Sequence, residues 1–181
     1  MTRIILALAS IALIFSVACG GDDKKDGGIL GGGGSSSNTG TKDPVAFAQA
    51  AVVTQFNVFG GSVDPQKLLD LYLPECTKGV KTSDITQTLA MVKAFFPDIA
   101  KLKIEDIDLA GPKVEKNGND VKLTISDINK VRIKSNGKFV NAVEFMKSIG
   151  FTDPSDSPLE GFNEPLELRE VTLANRVMCS A

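Results

Sequence analysis

The sequence predicts an α+β fold in which helices at the start of the domain pack on one face of an antiparallel sheet. Apolar residues at three- and four-residue spacing fill the first half of the domain, and two-residue alternation fills most of the second half. From Asp43 onward 139 residues remain, which is close to the usual size of one domain and enough to bury one core. We therefore expect a single domain over residues 43–181.

Three helices are predicted in the first half. Asp43-Pro44 supplies an N-cap residue and a proline at the first helical position, and Gly60-Gly61 ends a helix of about fifteen residues. Asp64-Pro65 repeats the start signal for a short second helix. Asp84, with a glutamine three residues later, predicts a capping box for a third helix that ends before Pro97.

Two hairpins are predicted next. Ile104 to Leu109 and Val121 to Ile125 alternate apolar and polar residues, and Asn117-Gly118 between them is a turn signal. Val131 to Ile133 continues the alternation and leads into a second Asn-Gly pair, Asn136-Gly137. These patterns are typical of half-buried antiparallel strands.

The end of the chain returns to a helix and then a strand. Asn141 to Ile149 has helical spacing with Gly150 as its C-cap, and a loop rich in Pro, Asp and Ser covers 152–165. The last strand is expected over Leu166 to Cys179. Its apolar residues change phase near Arg169-Glu170, where we expect a bulge or bend.

Composition excludes several classes of function. The chain has a net charge of −2 and no histidine, so it lacks the basic footprint of a nucleic-acid-binding protein and the residues of a Ser-His-Asp triad or a common catalytic zinc site. Asp153, Asp156 and Glu160 lack the spacing and the central glycine of an EF-hand calcium loop. We expect no metal, no cofactor and no nucleic-acid partner.

The N-terminus resembles the lipobox of bacterial lipoproteins. A short basic start precedes the apolar run Ile4 to Phe15, and the small residues Ser16 and Ala18 lead to Cys19. The run is too short for a permanent membrane span. The resemblance implies that residues 1–18 are a signal peptide and that Cys19 carries the acyl chains. The protein would then be anchored in the cell membrane or the outer membrane, with its domain outside the cytoplasm.

Ser16 departs from this pattern, because lipoproteins usually have an aliphatic residue there. Ser16 and Ala18 also suit the ordinary signal peptidase, which would release a soluble protein with a free thiol at Cys19. In either case residues 20–42 are predicted to form a Gly- and Ser-rich tether. For these 23 residues the expected mean span is about 25 Å.

Cys76 and Cys179 form the remaining cysteine pair of a protein exported to a compartment where disulfides persist. We therefore predict a disulfide between them. In a chain-entropy model a loop of about 100 residues would be stabilised by roughly 4 to 5 kcal/mol. The alternative is two separate buried thiols that behave as small apolar side chains.

The opening of the domain is similar to NTF2-like (cystatin-like) domains of bacterial lipoproteins. The similarity is carried by Ala51 to Cys76, where a helix, a Gly-Gly break and a second helix lead into Leu-Leu-Asp-Leu-Tyr-Leu-Pro-Glu-Cys. The family implies a curved sheet wrapped around a long helix, forming a cone that is either filled or open. An open cone would be lined by Phe56, Tyr72 and Phe96. Asn141 to Pro165 departs from the family as an insertion.

Three functions follow from this resemblance. The leading hypothesis is a non-catalytic domain that binds a small apolar ligand or an envelope partner. The second is an enzyme of the isomerase or dehydratase type, for which Tyr72 with Asp106 or Asp108 is the one pairing of suitable residue types. The third is a structural envelope protein. No motif matches the catalytic members of the family, so no catalytic residue is assigned.

Overall fold

The computed structural model describes residues 41–151, 159, 162, 164–171 and 174–179, and over these residues the fold is α+β. Its α-helices are α1 (Pro44–Gly60), α2 (Gln66–Leu69), α3 (Thr82–Phe95) and α4 (Ala142–Ser148). Short 3₁₀ helices cover Pro74–Thr77, Pro97–Lys101 and Ile128–Lys130. The strands are β1 (Asp106–Asp108), β2 (Lys113–Asn117), β3 (Asp120–Thr124), β4 (Arg132–Ser135), β5 (Lys138–Asn141), β6 (Leu166–Glu170) and β7 (Asn175–Val177).

The strands form two antiparallel sheets, whereas the sequence predicted one. One sheet has the order β1-β4-β5 and the other has the order β2-β3-β6-β7. The predicted class, α+β with antiparallel strands, is confirmed. The division into two sheets follows from long-range pairing, because β1 pairs with β4, whereas the β2-β3 hairpin joins β6 through β3.

Helix α1 lies at the centre of the domain. Its start is confirmed, because Oδ1 of Asp43 accepts hydrogen bonds from the Val45 N–H at 2.9 Å and the Ala46 N–H at 3.2 Å. Its end is confirmed by Gly61, which has φ 78° and caps the helix in the left-handed conformation. Eleven of its 17 residues are buried, which is typical of a helix covered on several sides.

Two buried amides join α1 to the chain that runs beside it. The Asn57 side chain donates to the carbonyl of Ile104 and accepts from the Ile104 N–H, both at 2.9 Å. The Gln49 amide donates to the carbonyl of Ile107 at 2.9 Å. These bonds satisfy backbone groups that would otherwise be buried without partners, and so fix β1 along the helix.

Helix α3 starts slightly earlier than predicted. It begins at Thr82, so Asp84 occupies its third position, where Oδ2 accepts from the Lys81 N–H at 3.4 Å. A carboxylate there still favours the helix N-terminus. The helix ends at Phe95, before Pro97 as predicted, and buries Ile85, Leu89 and Val92.

Both predicted Asn-Gly turns are confirmed, but the strand before the first one is different from the prediction. Asn117-Gly118 joins β2 to β3, and Asn136-Gly137 joins β4 to β5. Strand β2 was missed because all five of its residues are exposed, so it shows no alternation of apolar and polar residues. The predicted strand near Ile104 to Leu109 contains β1, which pairs with β4.

The predicted bulge in the last strand is wrong, because the chain reverses direction there. Strands β6 and β7 pair antiparallel with each other, and the Val171 N–H donates to the carbonyl of Ala174 at 2.8 Å. The change of apolar phase near Arg169-Glu170 therefore marks the approach to a hairpin. Helix α4 is confirmed, with Asn141 as its N-cap and Gly150 just after it at φ 101°.

The core is one continuous apolar cluster between the helices and both sheets. Its largest fully buried side chains come from every part of the domain: Phe47, Ile99, Leu102, Ile104, Ile107, Leu109, Leu123, Ile133, Met146, Phe151, Leu159 and Leu168. Across the residues that the structure describes, we find no helix with the length and hydropathy needed to cross a membrane.

Candidate functional site

The three side chains predicted to line an open cone do not meet in a cavity. Phe56 on α1 is 2% exposed and belongs to the core cluster. Phe96 stacks on Phe151 with ring centroids 4.9 Å apart. Tyr72 lies beside β7, where it forms a parallel bridge with Val177. All three side chains thus belong to the core cluster or pack against it.

The structure also separates the residues nominated for catalysis. Tyr72 adjoins the four-stranded sheet, whereas Asp106 and Asp108 lie on β1 of the three-stranded sheet. Burial raises the pKa of Tyr72 to about 12, with a smaller contribution from Cys76. Asp108 accepts from Arg132 at 2.6 Å, and this bond holds the pKa of its carboxyl below the usual range. A carboxylate stabilised in its charged form is a weak general base.

The predicted disulfide is not formed in the structure, where Cys76 and Cys179 are free thiols. The two side chains nevertheless contact each other through a hydrogen bond. Burial, followed by that hydrogen bond, raises the pKa of Cys76 to about 12. Because the thiolate is the form that attacks in disulfide chemistry, this raised pKa slows the reaction of Cys76. The Leu73 N–H donates to the Val177 carbonyl at 3.0 Å, and the Val177 N–H donates to the Leu71 carbonyl at 2.9 Å. These bonds hold the two cysteine-bearing segments side by side.

Other predicted site residues lie outside the described part of the chain. Cys19 of the lipobox, and Asp153, Asp156 and Glu160 of the acidic loop, are among them. Within the described residues, no group of three or more Cys, Asp and Glu side chains is placed to hold a metal ion.

A cleft of about 280 Å³ opens on the four-stranded sheet. Its walls come from β2, β3 and β6 and from the residue after β7: Glu115, Lys116, Asn117, Asp120, Val121, Lys122, Glu167 and Met178. Six of these eight residues are charged or carry an amide. The sequence did not indicate this cleft, because it depends on the pairing of four strands that are distant in the chain.

Charges of alternating sign cross this face of the sheet. Glu115, Lys122 and Glu167 are directly opposite one another on β2, β3 and β6, an arrangement that places opposite charges on neighbouring strands. Two residues along from the Lys122–Glu167 pair, Asp120 on β3 is opposite Arg169 on β6. Arg169 donates to both carboxylate oxygens of Asp120, at 2.7 and 3.2 Å. That pair lowers the pKa of Asp120.

The cleft lies close to the start of the domain. Lys116 is one of the residues that line the cleft. Its ammonium is 2.8 Å from Glu170, and the Lys42 ammonium is 3.3 Å from the same carboxylate. These two hydrogen bonds lower the pKa of Glu170. Thr41 also accepts from the Asn175 N–H at 3.1 Å. The chain therefore enters the domain beside β6 and β7.

A second exposed surface is formed by helix α3, and we call Ala90, Met91, Ala94 and Phe95 the α3 face. Phe95 is 65% exposed and Met91 is 52% exposed, the highest values for large apolar side chains in the described part of the chain. The exposed positions from Gln87 to Pro97 carry no ionisable group. A surface helix of a soluble domain usually has charged residues at such positions.

The basic side chains of the two hairpins do not form a patch. Lys113 is paired with Glu115, Lys116 with Glu170, and Arg132 with Asp108. Lys130 and Lys134 likewise contact Asp127 and Glu105. These lysines and the arginine on the hairpins are thus paired with carboxylates.

No protein-family model, curated protein or solved structure matches this chain.

Proposed function

We propose that this chain is a lipid-anchored lipoprotein of the bacterial envelope whose domain is non-catalytic and binds a partner protein. The partner contacts the exposed face of the four-stranded sheet, at the cleft. The observation that carries this proposal is the cleft itself, which is open, about 280 Å³ in volume and lined by charges of both signs. Such a surface suits the polar rim and hydrogen-bonding groups of a protein interface.

A small apolar ligand is supported less well than a protein partner. Apolar ligands bind in concave sites lined mainly by hydrophobic and aromatic side chains. The cleft contains only Val121 and Met178 of that type, and Phe56 of the predicted pocket is packed into the core. We infer that an NTF2-like cone, if the domain is one, is filled by side chains.

The enzyme hypothesis has less support for a similar reason. An isomerase-type site needs a carboxylate and an acidic hydroxyl that face one cavity. Tyr72 and Asp108 belong to different sheets, and Asp108 is engaged by Arg132.

The position of the cleft suits a tethered protein. The lipid anchor is proposed to be Cys19, and the chain from there enters the domain at Thr41 and Lys42, which contact β7 and β6. The cleft shares Glu170 with Lys42 through Lys116. A partner bound there would meet the domain next to its point of attachment.

Site-specific photo-crosslinking in the native cell tests the partner surface. A photoreactive residue at Lys122, in the cleft, is compared with one at Lys130, an exposed lysine that does not line the cleft and that precedes β4 of the other sheet. We expect a discrete adduct of constant mass from position 122 that is absent from position 130. The double substitution Glu115→Lys with Glu167→Lys should abolish it, because it reverses the two charges on either side of position 122. Equal adducts from both positions, or none, would contradict the proposed surface.

A further inference from the structure

The α3 face has no partner within the described domain and differs from the rest of its surface. Its residues Ala90, Met91, Ala94 and Phe95 lie at three- and four-residue spacing on the side of α3 opposite to Ile85, Leu89 and Val92. Near its C-terminus, α3 is thus apolar both on the side that packs on the core and on the exposed side. The exposed side is therefore suited to contact an apolar partner outside the domain.

This face lies at the opposite end of α1 from the tether. An added Cβ at Gly61, the C-cap of α1, would be 2.5 Å from the Lys93 ammonium, and Lys93 lies within one turn of Ala90 and Ala94. The tether enters at Thr41, just before the other end of the helix. Since α1 has 17 residues, the two ends are about 25 Å apart.

The chain outside the described domain has a matching length. Between Cys19 and Thr41 there are 21 residues, and the mean span expected from their composition is about 25 Å. An anchor at Cys19 can therefore lie in the same plane as the α3 face without an extended tether. Confinement by such a tether also raises the local concentration of the domain at the bilayer, so a weak contact is sufficient.

We infer that the α3 face binds the lipid surface that holds the anchor, with Phe95 and Met91 at the boundary between headgroups and acyl chains. This inference rests on the proposed function, because it requires a lipidated Cys19. The uncharged character of the face fits this partner, since large apolar side chains enter that boundary and charged ones do not. In this orientation the cleft near Lys42 and Lys116 points away from the bilayer and stays open to a partner.

The absence of tryptophan from the chain gives a clean fluorescence test. The mature lipidated chain with Phe95→Trp is reconstituted into phosphatidylcholine vesicles with or without brominated acyl chains, which quench tryptophan on contact. A chain with Lys42→Trp, at the far end of α1, is the matched control. We expect brominated lipid to reduce the emission of the first variant by about twofold or more, because the ring then lies at the acyl boundary. The control should be unchanged.

Three results would overturn the inference. Equal emission of the Phe95→Trp variant in both vesicle types would show that the tether holds the face clear of the bilayer. Quenching of both variants would show a different orientation. The third result is measured without vesicles, on a Phe95→Trp chain that also carries Cys19→Ser. If its tryptophan emission shifts to the blue as the protein concentration rises, the α3 face binds a second copy of this protein.

The intact mass of the purified chain distinguishes a wrong assignment of the α3 face from a wrong assignment of the lipid anchor. If the chain purified from native membranes carries acyl groups at Cys19 but shows no quenching, only the α3 face is assigned wrongly. If it carries no acyl groups, the proposed lipoprotein function itself is wrong. A Met91→Ser substitution in the lipidated Phe95→Trp chain gives a second measurement, for which we expect the quenching by brominated lipid to fall.

Discussion

Cys76 and Cys179 show how burial controls the chemistry of a side chain. The residues are 103 positions apart in the sequence, yet the fold brings their side chains into hydrogen-bonding contact. Contact alone does not produce a bond, because disulfide formation also needs a thiolate and an oxidant. The raised pKa of Cys76 keeps it as a thiol at neutral pH.

Alkylation of the folded protein tests the state of this pair. In the native protein without reductant, we expect iodoacetamide to modify Cys179 readily and Cys76 much more slowly. The rate at Cys76 should rise on the order of a hundredfold after unfolding, because its pKa then returns toward that of a free thiol. Peptide mass mapping measures both rates. If neither cysteine reacts in unfolded protein until a reductant is added, the pair is a disulfide.

Asp108 joins neighbouring strands on the surface of the three-stranded sheet. It accepts hydrogen bonds from Arg132 and from the Ala110 N–H, and the Arg132 guanidinium also lies 5.4 Å from the centre of the Phe139 ring. These contacts link β1, β4 and β5 on one face of the sheet.

The pH dependence of stability follows from the lowered pKa of Asp108. Its charged form is favoured in the folded state, so its contribution is present above the ordinary aspartate pKa of about 4 and is lost as the pH falls through the folded-state value. We expect Asp108→Asn to destabilise the protein at pH 7 by less than about 1 kcal/mol, because the pair is exposed. The difference from wild type should shrink toward zero at about pH 2.

Urea unfolding at both pH values measures this difference. Asp106→Asn is the matched control, because Asp106 is on the same strand and has no ion pair among the described residues. An effect of Asp108→Asn that grows as the pH falls would contradict the assigned role of Arg132.

At the scale of elements, α1 depends on a glycine in its last turn. A Cβ at Gly60 would lie 1.9 Å from the Leu102 carbonyl oxygen, which is a backbone atom that cannot move aside cheaply. Gly60 thus allows the 3₁₀ helix Pro97–Lys101 and the chain after it to approach α1 closely. Helix propensity alone would favour alanine at this position by about 1 kcal/mol. Propensity therefore predicts that Gly60→Ala stabilises the protein, whereas packing predicts that it destabilises it.

We expect Gly60→Ala to lower the free energy of unfolding by more than about 2 kcal/mol, as overpacking of a core does. Gly79→Ala is the control, because its added Cβ meets no atom and only the positive φ of 84° is strained. That substitution should cost about 1 kcal/mol. Chemical denaturation measures both values, and a Gly60→Ala protein as stable as wild type would show that Leu102 is not where the structure places it.

Local signals in the sequence predicted the elements well. Asp43, Gly61 and the two Asn-Gly pairs act within a few residues, so their caps and turns could be predicted from the sequence and are confirmed. Strand pairing could not be predicted from the sequence, because β1 pairs with β4 and not with β2, the next strand along the chain. Strand β2 also escaped prediction, since an edge strand with no buried side shows no apolar periodicity.

At the scale of the whole molecule, the two proposed binding surfaces lie at opposite ends of helix α1. The tether root and the cleft adjoin β6 and β7 at one end, and the α3 face is at the other end. The filled core between them makes the domain a rigid spacer of about 25 Å. Partner binding and bilayer contact can therefore occur at the same time.

The candidate site was only partly predictable for a physical reason. The proposed lipobox is a local pattern of residues around Cys19, so it can be predicted without knowledge of the fold. The cleft depends on the register of β2, β3 and β6, which brings Glu115, Lys122 and Glu167 into one row. Such register is set by the packing of the whole domain, which composition and spacing do not specify.

The most direct measurement for the lipoprotein function is the intact mass of the mature protein isolated from its native membrane. We predict a species that begins at Cys19, ends at Ala181 and carries the additional mass of acyl chains on Cys19. An unlipidated protein that begins at Cys19 and fractionates with soluble material would contradict the proposal. Ser16 would then be the residue that directs the chain to the ordinary signal peptidase.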